Sequence, residues 1–363
     1  MAIGRKHNLA AALVLGLAAS PAWAAAPDYQ AVNTALVEDY VIPRYAAFAQ
    51  ATAALEGALA AACEDGRPTP EEAGAAYHNA MDAWTAVQHL RFGPSLLFLR
   101  YDRIEFWPDK RGVVRRHLSQ LLSEQDAEAL QPRTFANGSV AVQGFPALER
   151  LLFDSDDDTW AMPFGCDVVR AIGTNLKSIA AGLLHDWRDG DKAFATVVLS
   201  AGEGNTHYFD AKEASLDFAK ALRGALLLVQ DYKLGRPLGA APDAERATRA
   251  ESWRSQRSLR NVLINLKAAQ ALYEGSGEAS FSALTRAQPQ GPDLDTAIRD
   301  SLARLIAAVE AQPDSLVAAL EAPEGWQKLN AIRVEARQLL ELLRGPLSEV
   351  LGLPMGFNSF DGD

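Results

Sequence analysis

Apolar side chains recur three and four residues apart along almost the whole chain after residue 28, and no stretch alternates apolar and polar residues strongly enough to build a sheet. That period leaves helices as the only regular element, so the fold class is all-α. The chain spells out the helices in order. A first pattern runs from about Tyr29 to Ala62, with a kink or break expected near Pro43, whose ring cannot supply a helical N–H. Thr69-Pro70-Glu71-Glu72 starts the next with a cap, a first-position proline and first-turn acids, and Tyr77, Met81, Trp84 and Val87 give it an apolar stripe that core packing accounts for. Val168 to Trp187 forms another helix and stops at Arg188-Asp-Gly190, the preferred domain boundary. Beyond it, Leu216 to Val229, Glu251 to Tyr273, Leu294 to Val309 and Trp326 to Leu351 complete the set, the last with Ile332, Leu339, Leu340, Leu343, Leu347 and Leu351 as core. Ser258, Asn261 and Asn265 put a polar stripe on the Glu251–Tyr273 pattern, which is either a binding face or an ordinary wet surface, the wet surface being the favoured reading.

Residues 1–24 stand apart from this folding pattern. Arg5 and Lys6 precede an apolar run from Leu9 to Ala19, and Ala22-Trp23-Ala24 offers a small-x-small cleavage site; cleavage after Ala26 fits almost as well. The segment is therefore expected to be a signal peptide, and the mature chain periplasmic. No other apolar stretch is long enough to span a bilayer. Losing Arg5 and Lys6 takes the formal net charge from −11 to −13, a balance that argues against a nucleic-acid surface. Export puts Cys63 and Cys166 in an oxidising compartment. Cys63 ends one expected helix and Cys166 begins another, so a disulfide between them is expected, with two separate buried thiols as the alternative.

Chemistry concentrates around Val142-Gln-Gly-Phe-Pro-Ala-Leu-Glu-Arg-Leu-Leu-Phe153. Pro146 opens a helix there, and Glu149 lies one turn in, at the edge of a face made apolar by Leu148, Leu151 and Leu152. The residues alone leave two readings open for Glu149. It can satisfy the free donors and dipole of the helix start, an effect of about 0.3–1 kcal/mol, or it can contact a ligand. Two more stretches gather polar and aromatic residues in loops: Arg91-Phe-Gly-Pro-Ser95 and Arg103-Ile-Glu-Phe-Trp-Pro-Asp109. Asp154-Ser-Asp-Asp-Asp158 lacks the glycine and distal glutamate of a calcium loop and is expected to be a solvated turn.

Gly144-x-Pro146-x-x-Glu149 followed by Arg-Leu-Leu-Phe resembles the signature of the imelysin family, helical proteins of the periplasm or cell surface linked to iron uptake. The family pattern is Gly-x-His-x-x-Glu, and Pro146 stands here in place of the histidine. The Phe92-Gly-Pro and Trp107-Pro-Asp segments and the tail Gly356-Phe-Asn with Asp361-Gly-Asp363 are similar to the family's as well. The resemblance implies two up-down helical bundles with a loose internal duplication, residues 25–190 and 191–363. It also implies a ligand cleft formed by Glu149, Gly144 and Pro146 with Arg91, Arg103, Glu105 and Trp107, and Glu149 as the candidate metal ligand, for iron or another divalent metal. A histidine and glutamate three apart share a helix face and can hold one ion, whereas proline offers no ligand atom. The resemblance thus favours a non-catalytic binding or accessory protein whose partners are iron-uptake components or a small ligand. A metallopeptidase is the alternative, but the histidines at 7, 78, 89, 117, 185 and 207 form no His-Glu-x-x-His array. A metal-free partner-binding module is the third reading.

Overall fold

The computed structural model describes residues 27–63, 70–154, 162–190 and 192–356, apart from Met1. The expected signal segment, the Thr69 cap, most of the acidic run after Asp154 and the tail from residue 357 lie outside the described residues. Among those described there is no strand, as the three-and-four spacing requires.

The first group of helices is built around one long rod. α1 (Tyr29–Ala35) runs through a π-helical turn, Leu36–Val41, into α2 (Ile42–Ala62). Pro43 falls in the first turn of α2, so the irregularity expected at the proline is a π turn just before it. α3 (Pro70–Thr85) returns against α2, and Tyr77, Met81 and Trp84 of its expected stripe are buried, as is Val87 in the turn that follows it. A 3-10 turn, Gly93–Leu99, leads to the short α4 (Arg100–Ile104), followed by α5 (Val113–Glu124), α6 (Pro132–Ala136) and α7 (Phe145–Phe153). α8 (Pro163–Arg188) then packs along α2, and the Cys63–Cys166 disulfide ties the end of α2 to its first turn. Both cysteines sit at helix ends, where the sequence put them.

The second group comprises α9 (Phe194–Leu199) and α10 (Ala211–Leu227), the latter continuing through π-helical Leu228–Gly235 into the short α11 (Arg236–Leu238). α12 (Ser258–Glu274), α13 (Phe281–Arg286), α14 (Gly291–Glu310), α15 (Leu316–Glu321) and α16 (Gly325–Leu342) follow. A second π turn, Leu343–Leu347, takes up Pro346 and passes into α17 (Ser348–Leu351). α12, α14 and α16 pack in sequence, with α10 against both α12 and α16. One continuous apolar core runs through both groups, from Val32 to Met355.

Two expectations are corrected here. The helix placed at Glu251–Tyr273 begins only at Ser258, because Ser252 and Gln256 take left-handed φ of 50° and 58° and residues 251–256 form turns. The polar stripe of Ser258, Asn261 and Asn265 does not face water; all three are buried. It packs toward α3, where Asn265 Nδ2 donates to the Thr85 carbonyl at 2.8 Å.

Candidate functional site

The line where the two groups of helices meet is polar, and it is buried. Lys233 and Glu251, about 1% and 2% exposed, form an ion pair of 2.6 Å. Asn261 Nδ2 donates to Glu251 at 2.6 Å, and Lys233 Nζ donates to Gln88 Oε1 at 2.9 Å. Gln88 Nε2 in turn donates to Glu251 at 3.0 Å and to Glu105. Glu105 also accepts from the indole N–H of Trp84 at 2.5 Å. Farther along, the buried Arg257 donates to Asn261 at 2.8 Å and to the His78 carbonyl at 2.8 Å, and it shares Asp82 with Arg260. Residues near position 80 thus join residues near 257 by charge-assisted bonds, the stronger kind.

The two buried carboxylates divide the charge unequally. Burial, and then the neighbouring Glu251, push the Glu105 carboxyl well above the usual range. Burial works against the charge of Glu251 too, but Lys233, and then hydrogen bonds from Gln88 and Glu105, outweigh that and hold its pKa below the ordinary value. The arrangement favours a proton on Glu105 and an ion pair between Glu251 and Lys233.

Over one end of this seam opens a cleft of about 740 Å³. Its walls are the Phe106–Lys110 segment, the first turns of α7, Arg236, and residues 248–254. Gly144 fixes how closely the first two approach. A Cβ there would lie 2.0 Å from the Ile104 carbonyl oxygen and 2.5 Å from that of Arg103, so only glycine lets α7 start against the end of α4. Pro146 occupies the first turn of α7 and lines the cleft. Glu149 also lines it, yet it is buried rather than at the solvent boundary. Its Oε1 accepts the backbone N–H of Ser255 at 3.0 Å and the Ser255 hydroxyl at 2.8 Å. Burial raises its pKa, and the Ser255 donors and the Arg254 charge oppose that rise.

The residues singled out from sequence separate by place. Trp107, Pro146 and Glu149 share the cleft, with Gly144 shaping it from behind. Arg91 lines an adjoining cleft of about 570 Å³ that shares the Phe106–Lys110 wall, and its guanidinium lies 4.1 Å over the Tyr101 ring. Glu105 lies inside the seam, 3% exposed. Arg103 is elsewhere: it donates to Gln143 at 2.6 Å and Asn175 at 2.7 Å and borders a separate pocket beside α6 and α8. Sequence reasoning missed Ser255, Glu251, Lys233, Gln88 and the basic residues of the 236–254 wall. The one available signal was Glu251-Ser-Trp-Arg-Ser-Gln-Arg257, seven residues with a single apolar side chain.

The donor set at Glu149 does not suit the metal-ligand role that the resemblance implies. One of its oxygens is taken by two Ser255 donors, proline stands where a histidine would add a nitrogen, and Arg150 and Arg254 line the same cleft. Among the described residues no group of three or more His, Cys, Asp or Glu side chains is placed to hold a metal ion.

The model of the Imelysin family, peptidase M75, matches residues 41–343 of this chain. Iron-regulated protein A of Synechococcus elongatus is 26% identical over 298 residues, spanning 80% of this chain and 77% of that protein. The crystal structure of an imelysin-like protein from Psychrobacter arcticum shares the fold with a TM-score of 0.70 at 19% identity, covering 91% of this chain and 97% of that one.

Proposed function

The chain belongs to the imelysin family, and on that premise we propose that it is an exported, non-catalytic binding or accessory protein in iron handling, its ligand seated in the cleft between α7 and the Phe106–Lys110 segment. The observation that carries this reading is the cleft itself: Pro146 and Glu149 of the signature stretch open onto it opposite Trp107, and its volume falls in the range of small-molecule sites. The iron link draws on the curated relative, whose name describes it as iron-regulated. A binding role fits a Glu149 that is desolvated and committed to Ser255, since a general base must reach the proton it removes. Among the described residues no helix is long and apolar enough to cross a membrane, which accords with a chain released after export. The partners would then be iron-uptake components at the cell envelope.

Two measurements test the proposal together. In the native host, the protein recovered from the periplasmic fraction should begin after Ala24 or Ala26, and a deletion strain should grow poorly only when iron is scarce, with rescue by the wild-type gene. Full-length protein in the cytoplasm, or a deletion strain indifferent to iron supply, would sink it.

A further inference from the structure

The cleft carries a charge opposite to that of the molecule. The chain has a formal net charge of −11, yet five basic side chains line the cleft against two acids, Asp109 and Glu149. Both acids already serve protein donors. Asp109 accepts the backbone N–H groups of Val113 and Val114 at 2.8 and 2.9 Å, capping α5, and Glu149 is held by Ser255. Beyond the rim, Asp154 serves two guanidiniums at once, Arg150 at 2.9 Å and Arg254 at 3.0 Å, so one carboxylate answers two positive charges. Lys110 and Arg249, both exposed at the mouth, make no ion pair among the described residues. A bare metal cation entering here meets more positive side chains than negative ones. A small anion meets planar guanidinium forks whose geometry matches carboxylate oxygens.

Size and wall chemistry narrow the class further. At about 740 Å³ the cleft is far larger than an inorganic phosphate needs, and Trp107 and Trp253 supply flat apolar walls for a carbon skeleton. Arg254 stacks 4.2 Å over the Trp253 ring, so charge and apolar face are presented side by side. We infer that the cleft is a receptor for an organic polycarboxylate, free or as its anionic iron complex. The inference rests on the reading that this cleft is the ligand seat, and it gives that reading a chemistry: iron reaches this protein as part of an anion.

Calorimetric titration of the mature chain with citrate, ferric citrate, phosphate and ferrous chloride tests it, alongside Lys110→Gln/Arg249→Gln. Both side chains are exposed, so the variant should keep the wild-type melting temperature. Citrate or ferric citrate should bind more tightly than phosphate and weaken as sodium chloride rises, and the double variant should lose at least about tenfold in affinity. Absence of binding by both citrate forms, or an affinity untouched by the two substitutions, overturns the inference. The arms also separate it from the iron reading. Citrate bound equally with and without iron, together with a deletion strain indifferent to iron, leaves the polycarboxylate site standing and removes the iron role. Ferrous ion bound alone, with neither citrate form bound, does the reverse.

Discussion

His89 is held neutral in the core. The Tyr40 hydroxyl donates to the Ala268 carbonyl at 2.8 Å, so the 2.8 Å contact between that hydroxyl and His89 Nε2 is made by a proton on Nε2. Nδ1 then carries a buried lone pair with no partner among the described residues, and a second proton there would have nothing to meet. Burial, with Arg44 nearby, pushes the imidazole down to about 3. The sign follows: the folded state takes up this proton less readily than the unfolded one, so the contribution is fully present above pH 6.5 and is lost as pH falls toward 3. The slope is about 1.4 kcal/mol per pH unit in that window. His89→Gln keeps an N–H for Tyr40 and has nothing to titrate. Urea denaturation of both proteins at pH 7, 6 and 5 should show the wild type losing stability faster than the variant, and parallel curves would contradict the assignment.

Two glycines, one capping the start of α7 and one within α2, make opposite predictions. Gly144 starts α7 with the Ile104 carbonyl in the space where a Cβ would sit, and backbone cannot yield as a side chain end can. Gly144→Ala should therefore cost about 1–3 kcal/mol and push the Phe106–Lys110 wall off α7, weakening ligand binding as well. Gly57, exposed within α2, has nothing within 4 Å of an added Cβ, and Gly57→Ala should stabilise by about 0.5–1 kcal/mol. Thermal melts of the two variants against wild type check both signs. The same scale shows what the sequence could carry. Helix identity was legible wherever apolar spacing was strong, as in α3, α8 and α16, and so were the helix ends bearing Cys63 and Cys166. The 251–257 segment was not, because it contains no glycine or proline to announce its turns, and its left-handed residues, Ser252 and Gln256, are of types that give no such signal. The buried polar stripe of α12 was misjudged for a related reason. Its partners, such as the Thr85 carbonyl, lie 180 residues away, and no local pattern distinguishes a polar face that meets water from one that meets another helix. At the candidate site, Trp107 and Pro146, named by resemblance, fall with Glu149 on one cleft, whereas Ser255, 106 residues from Glu149, could be found only by folding the chain.

At the scale of the whole molecule, the helices before and after residue 190 share a continuous apolar core but are keyed to each other by the Glu105, Glu251, Lys233 and Gln88 cluster. A buried ion pair contributes little net stability while intact, because desolvation offsets the attraction, yet removing one partner leaves a charge with no water and no counterion. Lys233→Met does that to a site holding two carboxylates, and the expected loss is about 3–5 kcal/mol. The paired change Lys233→Met/Glu251→Gln removes both charges and should recover a large part of that loss, so the two substitutions should be far from additive. Because the cluster joins the two groups of helices rather than stiffening either one, the single variant should also broaden or split an unfolding transition that is cooperative in the wild type. Differential scanning calorimetry reads both effects in one experiment. A Lys233→Met protein that melts in one sharp transition near the wild-type temperature would mean that the apolar core alone holds the groups together, and that the polar seam serves the cleft above it rather than the fold.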